Sequence, residues 1–401
     1  MSEVSFANLL AVAAVAFVAP LVARAIPGAS VPSPVLELLA GVALGPAGLG
    51  LVEVDAAVRA LATLGVSFLL FLAGMEIELP RLRGPLLRLS GVNYVVSFAL
   101  ALAAAGALHA LDVIINPVLV GIVVSATSLG LVVPVLKDAG ESQTSFGQLV
   151  IGAASVAEFA PIVLVSLFFS VQPASLPTKL LLLLALVVLV AIAVAVLALG
   201  RRSARVADSL LGLQDTSAQI RVRGATLLLL ALVVAAADFR VDAILGAFLA
   251  GTLLSVVDRA RDADLGHFRA KLEAVGHGLL VPVFWVTTGL NFDVGALTSS
   301  PQALLRVPLF VALLLLVRGA PALLYRSVVG AARSVAAGLL QATSLTFIAV
   351  TTTIGLELEE LTRANAAALV AAGLVSVLVF PAVALGLLRR PSAPSAGEET
   401  L

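Results

Sequence analysis

The sequence predicts an all-α polytopic membrane protein of about thirteen transmembrane helices, built as two inverted repeats with crossed discontinuous helices. Three observations support this prediction. The 401-residue chain is 61% hydrophobic and 12% charged, which is too apolar for a water-soluble globule. Apolar runs long enough to cross a bilayer follow one another along the whole chain. Short motifs of the first half recur in the second half in the same order.

Gly, Pro and charged residues divide the apolar sequence into thirteen predicted spans. They lie near residues 6–26, 33–48, 57–78, 90–111, 115–136, 145–170, 178–199, 222–239, 242–257, 276–292, 303–326, 332–354 and 364–388. Residues 1–390 therefore form one predicted transmembrane domain, with a first repeat over about 33–199 and a second over about 222–388. The polar segment 391–401 is predicted to be a disordered tail.

Orientation is predicted from the Lys and Arg residues, because cytoplasmic loops hold the excess of them. The largest basic clusters all follow odd-numbered spans. They consist of Arg81, Arg83, Arg88, Arg201, Arg202, Arg205, Arg221, Arg223, Arg259, Arg261, Arg269 and Lys271. We therefore expect a multi-pass protein of the cell membrane with its N-terminus outside and its C-terminus in the cytoplasm. A cleaved signal ending near Ala25 is the alternative reading of the first span.

Several classes of function are excluded by what the sequence contains. The formal net charge is zero and there is no long basic run, so no nucleic-acid partner is expected. Cysteine is absent and the three histidines, His109, His267 and His277, lack metal-ligand spacing. No arrangement of nucleophile and base is visible either. We expect a protein that is not an enzyme and that needs no cofactor.

An internal repeat links the two halves of the chain. Leu39–Leu44 and Leu249–Leu254 match at an offset of 250 minus 40, or 210. Gly74 and Gly289 open a second matching pair, at an offset of 289 minus 74, or 215. The segment Ala-Thr-Ser-Leu recurs at an offset of 343 minus 127, or 216. Because the three matches are collinear and the predicted orientations are opposite, the repeats are predicted to be inverted.

The two Ala-Thr-Ser-Leu segments are candidate breaks in their helices. They place Thr127 and Ser128 in one predicted span and Thr343 and Ser344 in the other, each near its middle. A polar segment in mid-span can turn its peptide groups toward a cavity, and two such segments side by side would present opposed partial charges. These four residues are predicted to line a cation and proton site. The alternative is that they only cement helix packing.

Two charged residues lie near the middle of predicted spans. Glu158 has no Lys or Arg within its own span, and an ionised carboxylate there costs about 3 kcal/mol. It must therefore be neutral, paired or hydrated. A proton and a metal cation can compete for its oxygen atoms, which makes Glu158 the predicted ion ligand. The alternative is a protonated Glu158 that only bonds to a neighbouring helix. Arg318 needs a counter-charge, and the candidates are Glu158 and the carbonyl ends of the broken helices. The alternative for Arg318 is a side chain that extends to the membrane interface.

Other polar residues receive weaker interpretations. Gln341, Thr346 and Thr351–Thr353 share the span of the second break and either line the pathway or bond back to their own helix. A further set of carboxylates falls near predicted span ends, where we expect solvated or locally paired charges. These residues are Glu37, Glu76, Glu78, Asp238 and Asp242.

Taken in order, seven segments resemble the sodium (or potassium):proton exchanger family, and more narrowly the monovalent cation:proton antiporter-2 group with its Kef-type systems. They are PSPVLELLAGVALGPAGLG, LGVSFLLFLAGMEIELPRLR, SATSLGLVVPVLKDAG, GQLVIGAASVAEFAPIVLV, ILGAFLAGTLLS, VPVFWVTTGLNFDVGAL and QATSLTFIAVTTTIGLELEEL. The resemblance implies a homodimer in which a mobile core of six helices moves like an elevator against a scaffold. Gly152 to Glu158 matches the spacing of the family's ion-binding carboxylate, and Arg318 matches its basic residue. Ala157 departs from the polar residue that the family commonly has there.

A monovalent cation:proton antiporter is therefore the expected function, with Na+ or K+ exchanged for H+ at Glu158. The resemblance implies that one carboxylate with an arginine gives electroneutral exchange of one cation for one proton. Three alternatives are a potassium channel or uniporter, a symporter or exporter of an organic solute, and a membrane sensor that transports nothing.

Overall fold

The computed structural model describes residues 5–25, 31–76, 84–169, 219–239, 242–258 and 265–388, with scattered helical positions between 177 and 188. All regular structure in these residues is helical. The first helices are α1 (Phe6–Ala25), α2 (Ser33–Leu44), α3 (Ala56–Glu76), α4 (Gly84–Ala110), α5 (Pro117–Ser125), α6 (Leu129–Asp138) and α7 (Ser145–Phe168). They are followed by α8 (Ile220–Asp238), α9 (Ala243–Asp258), α10 (Leu265–Val275), α11 (Val281–Leu290), α12 (Val294–Thr298), α13 (Pro301–Leu314), α14 (Arg326–Val329), α15 (Ala331–Gln341), α16 (Thr346–Glu357) and α17 (Arg363–Leu388).

The predicted all-α membrane architecture is confirmed. Among the described residues, nine helical stretches are long and apolar enough to cross a membrane. Three of them combine helices numbered separately above, namely α5 with α6, α13 with α14, and α15 with α16. α2 and the first part of α9 are shorter apolar helices. The predicted span 276–292 corresponds to a π turn at Gly276–Leu280 followed by α11. Most of the predicted span 178–199, the polar connection around residue 210 and the predicted tail 391–401 lie outside the described residues.

The helices form two compact units, and each unit collects separate segments of the chain. The first unit consists of Met1–Arg83, Phe159–Ala303 and Ala349–Ala367. The second consists of Gly84–Glu158, Leu304–Ile348 and Ala368–Leu401. Each unit therefore contains parts of both halves of the sequence.

Glycines from the repeated motifs bring helices of the first unit together. Gly41 of α2 lies against Gly289 of α11, where a Cβ atom on Gly41 would lie 3.0 Å from the Gly289 Cα. Gly74 of α3 lies against α9 in the same way, and a Cβ on Gly251 of α9 would lie 3.0 Å from the Met75 backbone nitrogen. Each contact joins a motif of the first half to the other motif of the second half, so that Gly41 meets Gly289 and not its repeat counterpart Gly251. Small residues are what let helix backbones approach so closely in membranes.

Asp55 fastens the start of α3 to the start of the described chain. Its Oδ1 accepts from the Val58 backbone N–H at 2.8 Å and its Oδ2 from the Ser5 N–H at 2.9 Å. The hydrogen bond from Val58, with that from Ser5, holds the pKa of the Asp55 carboxyl below its ordinary value, because both stabilise the ionised form. Val12 and Val15 of α1 join the same apolar cluster as Val58, so α1 is packed into the first unit.

Two features of the first unit differ from the sequence-based expectations. The basic segment around Arg269 was expected to be a loop, but it forms the helix α10, in which Phe268 and Leu272 are buried. Arg269 binds Glu273 at 2.7 Å and Glu76 at 3.5 Å. A polar helix in which only two residues of the part 267–275 are buried gives too weak a pattern for a hydropathy scan.

Glu37 is the second difference. We expected a solvated or locally paired carboxylate near the end of a span, and the solvated alternative is wrong, because Glu37 is only 4% exposed. It lies one turn before Gly41 on α2, and residues at that spacing share a helix face. The closely packed face of α2 therefore buries the carboxylate together with the glycine.

The second unit has its own apolar core, which lies between α6, α7 and α15. Its largest buried side chains are Phe146 and Tyr325. At one edge of this core Arg333 binds Glu141 at 3.1 Å, and its guanidinium lies 5.6 Å from the centre of the Phe146 ring. Because Arg333 is almost half exposed, this ion pair contributes little to stability, and the packed core holds the unit together.

The glycine contacts lead to a testable expectation. Gly41→Ala would force the α2 and α11 backbones apart and should destabilise the protein by about 1–3 kcal/mol, the usual cost of overpacking. Gly91→Ala is the matched control, since a Cβ there would meet no atom within 4 Å, and it should stabilise α4 slightly. Thermal unfolding of both purified variants in detergent measures the difference. Equal melting temperatures would contradict the close packing.

Candidate functional site

Two helices of the second unit are interrupted in their middles. The first interruption separates α5 from α6 at residues 126–128, and the second separates α15 from α16 at residues 342–345. Ala126 and Ser128 adopt extended backbone conformations, with ψ angles of 156° and 97°. Both breaks fall on the Ala-Thr-Ser-Leu segments, as predicted. Their backbone groups cannot bond within a helix, so they must find partners elsewhere.

The two interruptions supply hydrogen-bond partners to each other. The Ser128 backbone N–H donates to the Thr343 carbonyl at 3.0 Å. The Ser128 hydroxyl accepts from the backbone N–H groups of Leu345 at 3.1 Å and of Thr346 at 3.2 Å. A side-chain oxygen that accepts from the first N–H groups of a helix is an N-cap. Ser128 of the first repeat thus caps α16 of the second.

Arg318 lies in an irregular part of the chain that follows α13. A π turn covers Leu315–Gly319, and a 3₁₀ helix at Ala320–Tyr325 follows it. Pro321 in that second segment has no N–H to continue an α-helical ladder. π turns inside helices often occur at functional sites. Here the π turn contains an arginine side chain that is completely buried.

Four neutral side chains accept hydrogen bonds from Arg318. Its Nε donates to the Thr127 hydroxyl at 3.0 Å. Its terminal nitrogens donate to Ser97 at 2.9 Å, to Asn93 at 3.4 Å and to the Gln341 amide oxygen at 3.3 Å. Such a partner set satisfies four of the five donors of a guanidinium, but it supplies no negative charge.

The ends of the broken helices supply partial negative charge instead. Thr127 lies just beyond the last residue of α5, and Gln341 is the last residue of α15. Each helix carries about half a negative charge at its carbonyl end, so two such ends together approach the charge that one guanidinium requires. The Thr127 hydroxyl also donates to the Gln341 carbonyl. Arg318 therefore lies where both half-helices end.

Glu158 lies on α7, which passes beside the first interruption. The Thr127 backbone N–H donates to the carbonyl of Ala157 at 3.2 Å, so the residue before Glu158 is bonded directly to the crossing. Glu158 is 5% exposed. A buried carboxylate thus lies next in sequence to a peptide group that contacts the break.

The four hydroxyls predicted to line the site have different surroundings. The Thr127 hydroxyl binds Arg318 and the Gln341 carbonyl, and that of Ser128 caps α16. The Thr343 hydroxyl donates to the Leu339 carbonyl of its own helix at 3.2 Å. The Ser344 hydroxyl is buried and, within the described residues, has no hydrogen-bond partner. Three of the four are therefore engaged by the protein itself.

Sequence reasoning missed three polar residues of this region. Asn93 and Ser97 lie one turn apart on α4 and both accept from Arg318. Ser376 of α17 binds the backbone of Ser344. The spacing of Asn93 and Ser97 within an apolar span was a usable signal, since polar residues at that spacing share one helix face.

The different surroundings of Thr127 and Thr343 can be tested by making the same substitution at each position. Thr127→Val keeps the shape but leaves an Arg318 N–H and the Gln341 carbonyl without a partner, and it should cost about 1–3 kcal/mol. Thr343→Val at the repeat-related position loses one bond within its own helix and should cost less than about 1 kcal/mol. Unfolding of the two purified proteins in detergent gives both values. Equal losses would mean that Arg318 does not depend on Thr127.

Comparison with known proteins places the chain in a family. The transmembrane sodium/hydrogen exchanger family matches residues 13–389. A putative Na+/H+ antiporter of Bacillus subtilis (strain 168) is 27% identical over 98% of this chain, which spans 65% of that protein's length. The chloroplastic K+ efflux antiporter 1 of Arabidopsis thaliana is 28% identical over 69% of this chain and 23% of its own length.

A solved structure agrees with the fold. The sodium proton antiporter of Methanocaldococcus jannaschii at pH 8 matches with a TM-score of 0.65 and 16% identity, over 95% of this chain and 99% of that one. This structural likeness supports the fold, while the family match covers almost the whole sequence. The chain therefore belongs to the transmembrane sodium/hydrogen exchanger family.

Proposed function

We propose that this protein exchanges a monovalent cation, Na+ or K+, for a proton, and that Glu158 binds the two in turn. The observation that carries the proposal is the hydrogen bond from Thr127 to the Ala157 carbonyl, which joins the buried Glu158 segment to the crossing of the broken helices. Membership of the exchanger family and the names of the antiporter relatives support the same activity.

The chemistry follows from the cost of an ionised carboxylate in a membrane. A buried carboxylate is stabilised when it is neutralised by a bound proton or paired with a bound cation. Its oxygen atoms cannot hold a proton and a metal cation together. Glu158 therefore reaches a neutral state with either ion, whereas the ionised carboxylate with neither ion bound has the highest free energy. This competition couples the movement of one ion to the movement of the other.

Arg318 determines the proposed stoichiometry. It stays protonated, and the four hydrogen bonds described above go to neutral side chains, two at the helix ends and two on α4. It therefore contributes a constant charge to the site and does not join the cycle of binding and release. With Glu158 as the exchanging carboxylate, each cycle carries one cation in one direction and one proton in the other, which is electroneutral.

The identity of the cation is proposed only as Na+ or K+. A relative from Bacillus subtilis is named as a putative Na+/H+ antiporter, whereas one from Arabidopsis thaliana is named as a K+ efflux antiporter. Both ions take oxygen ligands, so carboxylate and hydroxyl oxygens at the crossing suit either. A potassium channel or uniporter is a competing class that the flux measurements below separate from exchange. An organic-solute transporter is favoured instead if Glu158→Gln still transports.

The larger assembly is also a proposal. We propose a homodimer with the N-terminus outside and the C-terminus in the cytoplasm, and an elevator-type movement for alternating access. Glu158, Arg318 and both interruptions belong to the same compact unit. They would therefore move as one body, and the ion would stay on its ligands during the movement.

Replacement of the carboxylate tests the proposed activity. In proteoliposomes, an imposed Na+ or K+ gradient should change the internal pH for the wild-type protein, as followed with a trapped pH-sensitive dye. Glu158→Gln should abolish this exchange, because an amide takes up no proton at these pH values and carries no negative charge to neutralise a bound cation. Glu158→Asp keeps the charge and should retain part of the activity.

Glu37→Gln is the matched control for this experiment. Glu37 is an equally buried carboxylate in the other unit, and its replacement should leave the exchange in place. Exchange that survives in Glu158→Gln would refute the role of Glu158. Cation flux without proton movement would indicate a channel or uniporter instead.

Electroneutrality has a separate test. With one charge moving in each direction, the wild-type protein should give no cation-dependent current on a solid-supported membrane, although the pH-sensitive dye reports exchange in the same preparation. An imposed membrane potential should leave the rate unchanged. A current that scales with the exchange rate would show that the number of protons differs from the number of cations.

A further inference from the structure

Two residues of α17 contact the second interruption at Ser344. The Ser376 hydroxyl accepts from the Ser344 backbone N–H at 3.1 Å and lies 3.2 Å from the Ser344 carbonyl oxygen. One turn earlier Gly373 packs against the same peptide, where a Cβ atom would lie 2.9 Å from the Ser344 carbonyl oxygen. Residues three apart lie on one helix face. That face of α17 therefore fits closely around the backbone of Ser344.

The Ser376 hydroxyl has more acceptors within reach than it has protons. It lies 2.7 Å from the Gly373 carbonyl and 3.2 Å from that of Ser344. A hydroxyl donates one hydrogen bond and accepts two, so it can donate to one carbonyl at a time while it accepts from the Ser344 N–H. The bond to the Ser344 N–H persists in both cases. Ser376 thus fixes the Ser344 peptide in a segment with no helical ladder to fix it.

Ser344 differs from the other hydroxyls at the crossing. Its side chain is completely buried, yet its oxygen has no hydrogen-bond partner among the described residues. A buried hydroxyl without a partner costs about 1–3 kcal/mol. The hydroxyls of Thr127, Ser128 and Thr343 all have protein partners. A bound cation would use the free lone pairs of Ser344 and remove that cost.

We propose that Ser344 supplies a hydroxyl ligand to the transported cation, and that Ser376 is a positioning residue that presents it. This inference rests on the proposed cation exchange. It adds that Ser344 and Ser376 determine the affinity and selectivity for the cation. Ser376 does not touch the ion and acts through the Ser344 peptide. Residues that orient a ligand commonly change metal affinity by about 10–100-fold when they are replaced.

The reason for an effect on selectivity is the difference in size between the candidate cations. A hydroxyl held at a fixed position suits one metal–oxygen distance better than another, so its loss weakens the binding of the preferred ion more. When Ser376 is replaced by alanine, the Ser344 N–H loses its acceptor and the peptide can rotate. The hydroxyl is then still present but is no longer held in place.

A double-mutant cycle tests the proposal. Ser344→Ala and Ser376→Ala should each raise the KM for the preferred cation by about tenfold, leave the maximal rate within about twofold, and bring the KM values for Na+ and K+ closer together. In the double variant Ser376→Ala should add no further change in KM, because the hydroxyl that it positions is gone. Ser376→Thr keeps the hydroxyl and should restore most of the affinity.

Ser166→Ala is the matched control, since Ser166 is also a buried serine whose hydroxyl has no partner among the described residues. Its KM should equal that of the wild type. Multiplicative effects of Ser344→Ala and Ser376→Ala would overturn the positioning role, as would a loss of maximal rate with unchanged KM. A KM that is unchanged in Ser344→Ala would overturn the ligand role.

A binding measurement separates this inference from the proposed function. The melting temperature of the purified wild-type protein should rise with NaCl or KCl relative to choline chloride, and Ser376→Ala should shift the required concentration by the same factor as its KM. If cations bind, Ser376→Ala lowers the affinity for them and no exchange occurs, the proposed antiport fails but the positioning role stands. If exchange occurs and Ser376→Ala binds cations like the wild type, this inference fails alone. If the wild-type protein binds no cation, both fail.

Discussion

Ser128 joins the two broken helices, because its N–H donates to Thr343 and its hydroxyl accepts from Leu345 and Thr346. The hydrocarbon layer offers no water to satisfy exposed peptide groups, so a helix can break in a membrane only where other groups replace the lost bonds. Here each break depends on the other. Once the crossing exists, the partial negative charges at the carbonyl ends of α5 and α15 favour a positive charge nearby, and the Arg318 guanidinium supplies it. The hydrogen bonds that the two breaks make to each other therefore also determine where the charged site forms.

The sequence predicted the parts of this arrangement that composition and repetition encode. The apolar runs identified the spans because the thickness of the bilayer fixes their length. Thr127 and Thr343 marked both breaks because hydroxyl residues in mid-span are conspicuous among aliphatic ones. Glu158 and Arg318 were conspicuous for the same reason, although their roles in exchange stay predictions. The repeat supplied the argument that the two breaks belong together.

The sequence did not predict the residues whose role depends on which neighbours they contact in the folded protein. Ser376 binds Ser344 from 32 positions away in sequence, and nothing in the sequence specifies which face of α17 meets the break. The spacing of Asn93 and Ser97 shows that they share a helix face, but only the position of Arg318 shows what they bind. Glu37 was misread because its place near a helix end does not reveal that Gly41, one turn later, packs that face closely against α11. When nearly every residue of a helix is apolar, the sequence does not show which face of the helix packs against its neighbours.

The cap that Ser128 provides has a consequence for biosynthesis. The acceptor and one of its donors, Thr346, are 218 residues apart in the chain. A nascent chain that has inserted α5 and α6 therefore still lacks the peptide groups that complete the break, and it gains them only when residues 343–346 leave the ribosome. Until then, the interrupted backbone must be hydrated or protected by the insertion machinery. The native crossing is thus a late event of cotranslational folding, and truncation before Thr343 removes every hydrogen bond that Ser128 makes to the second interruption.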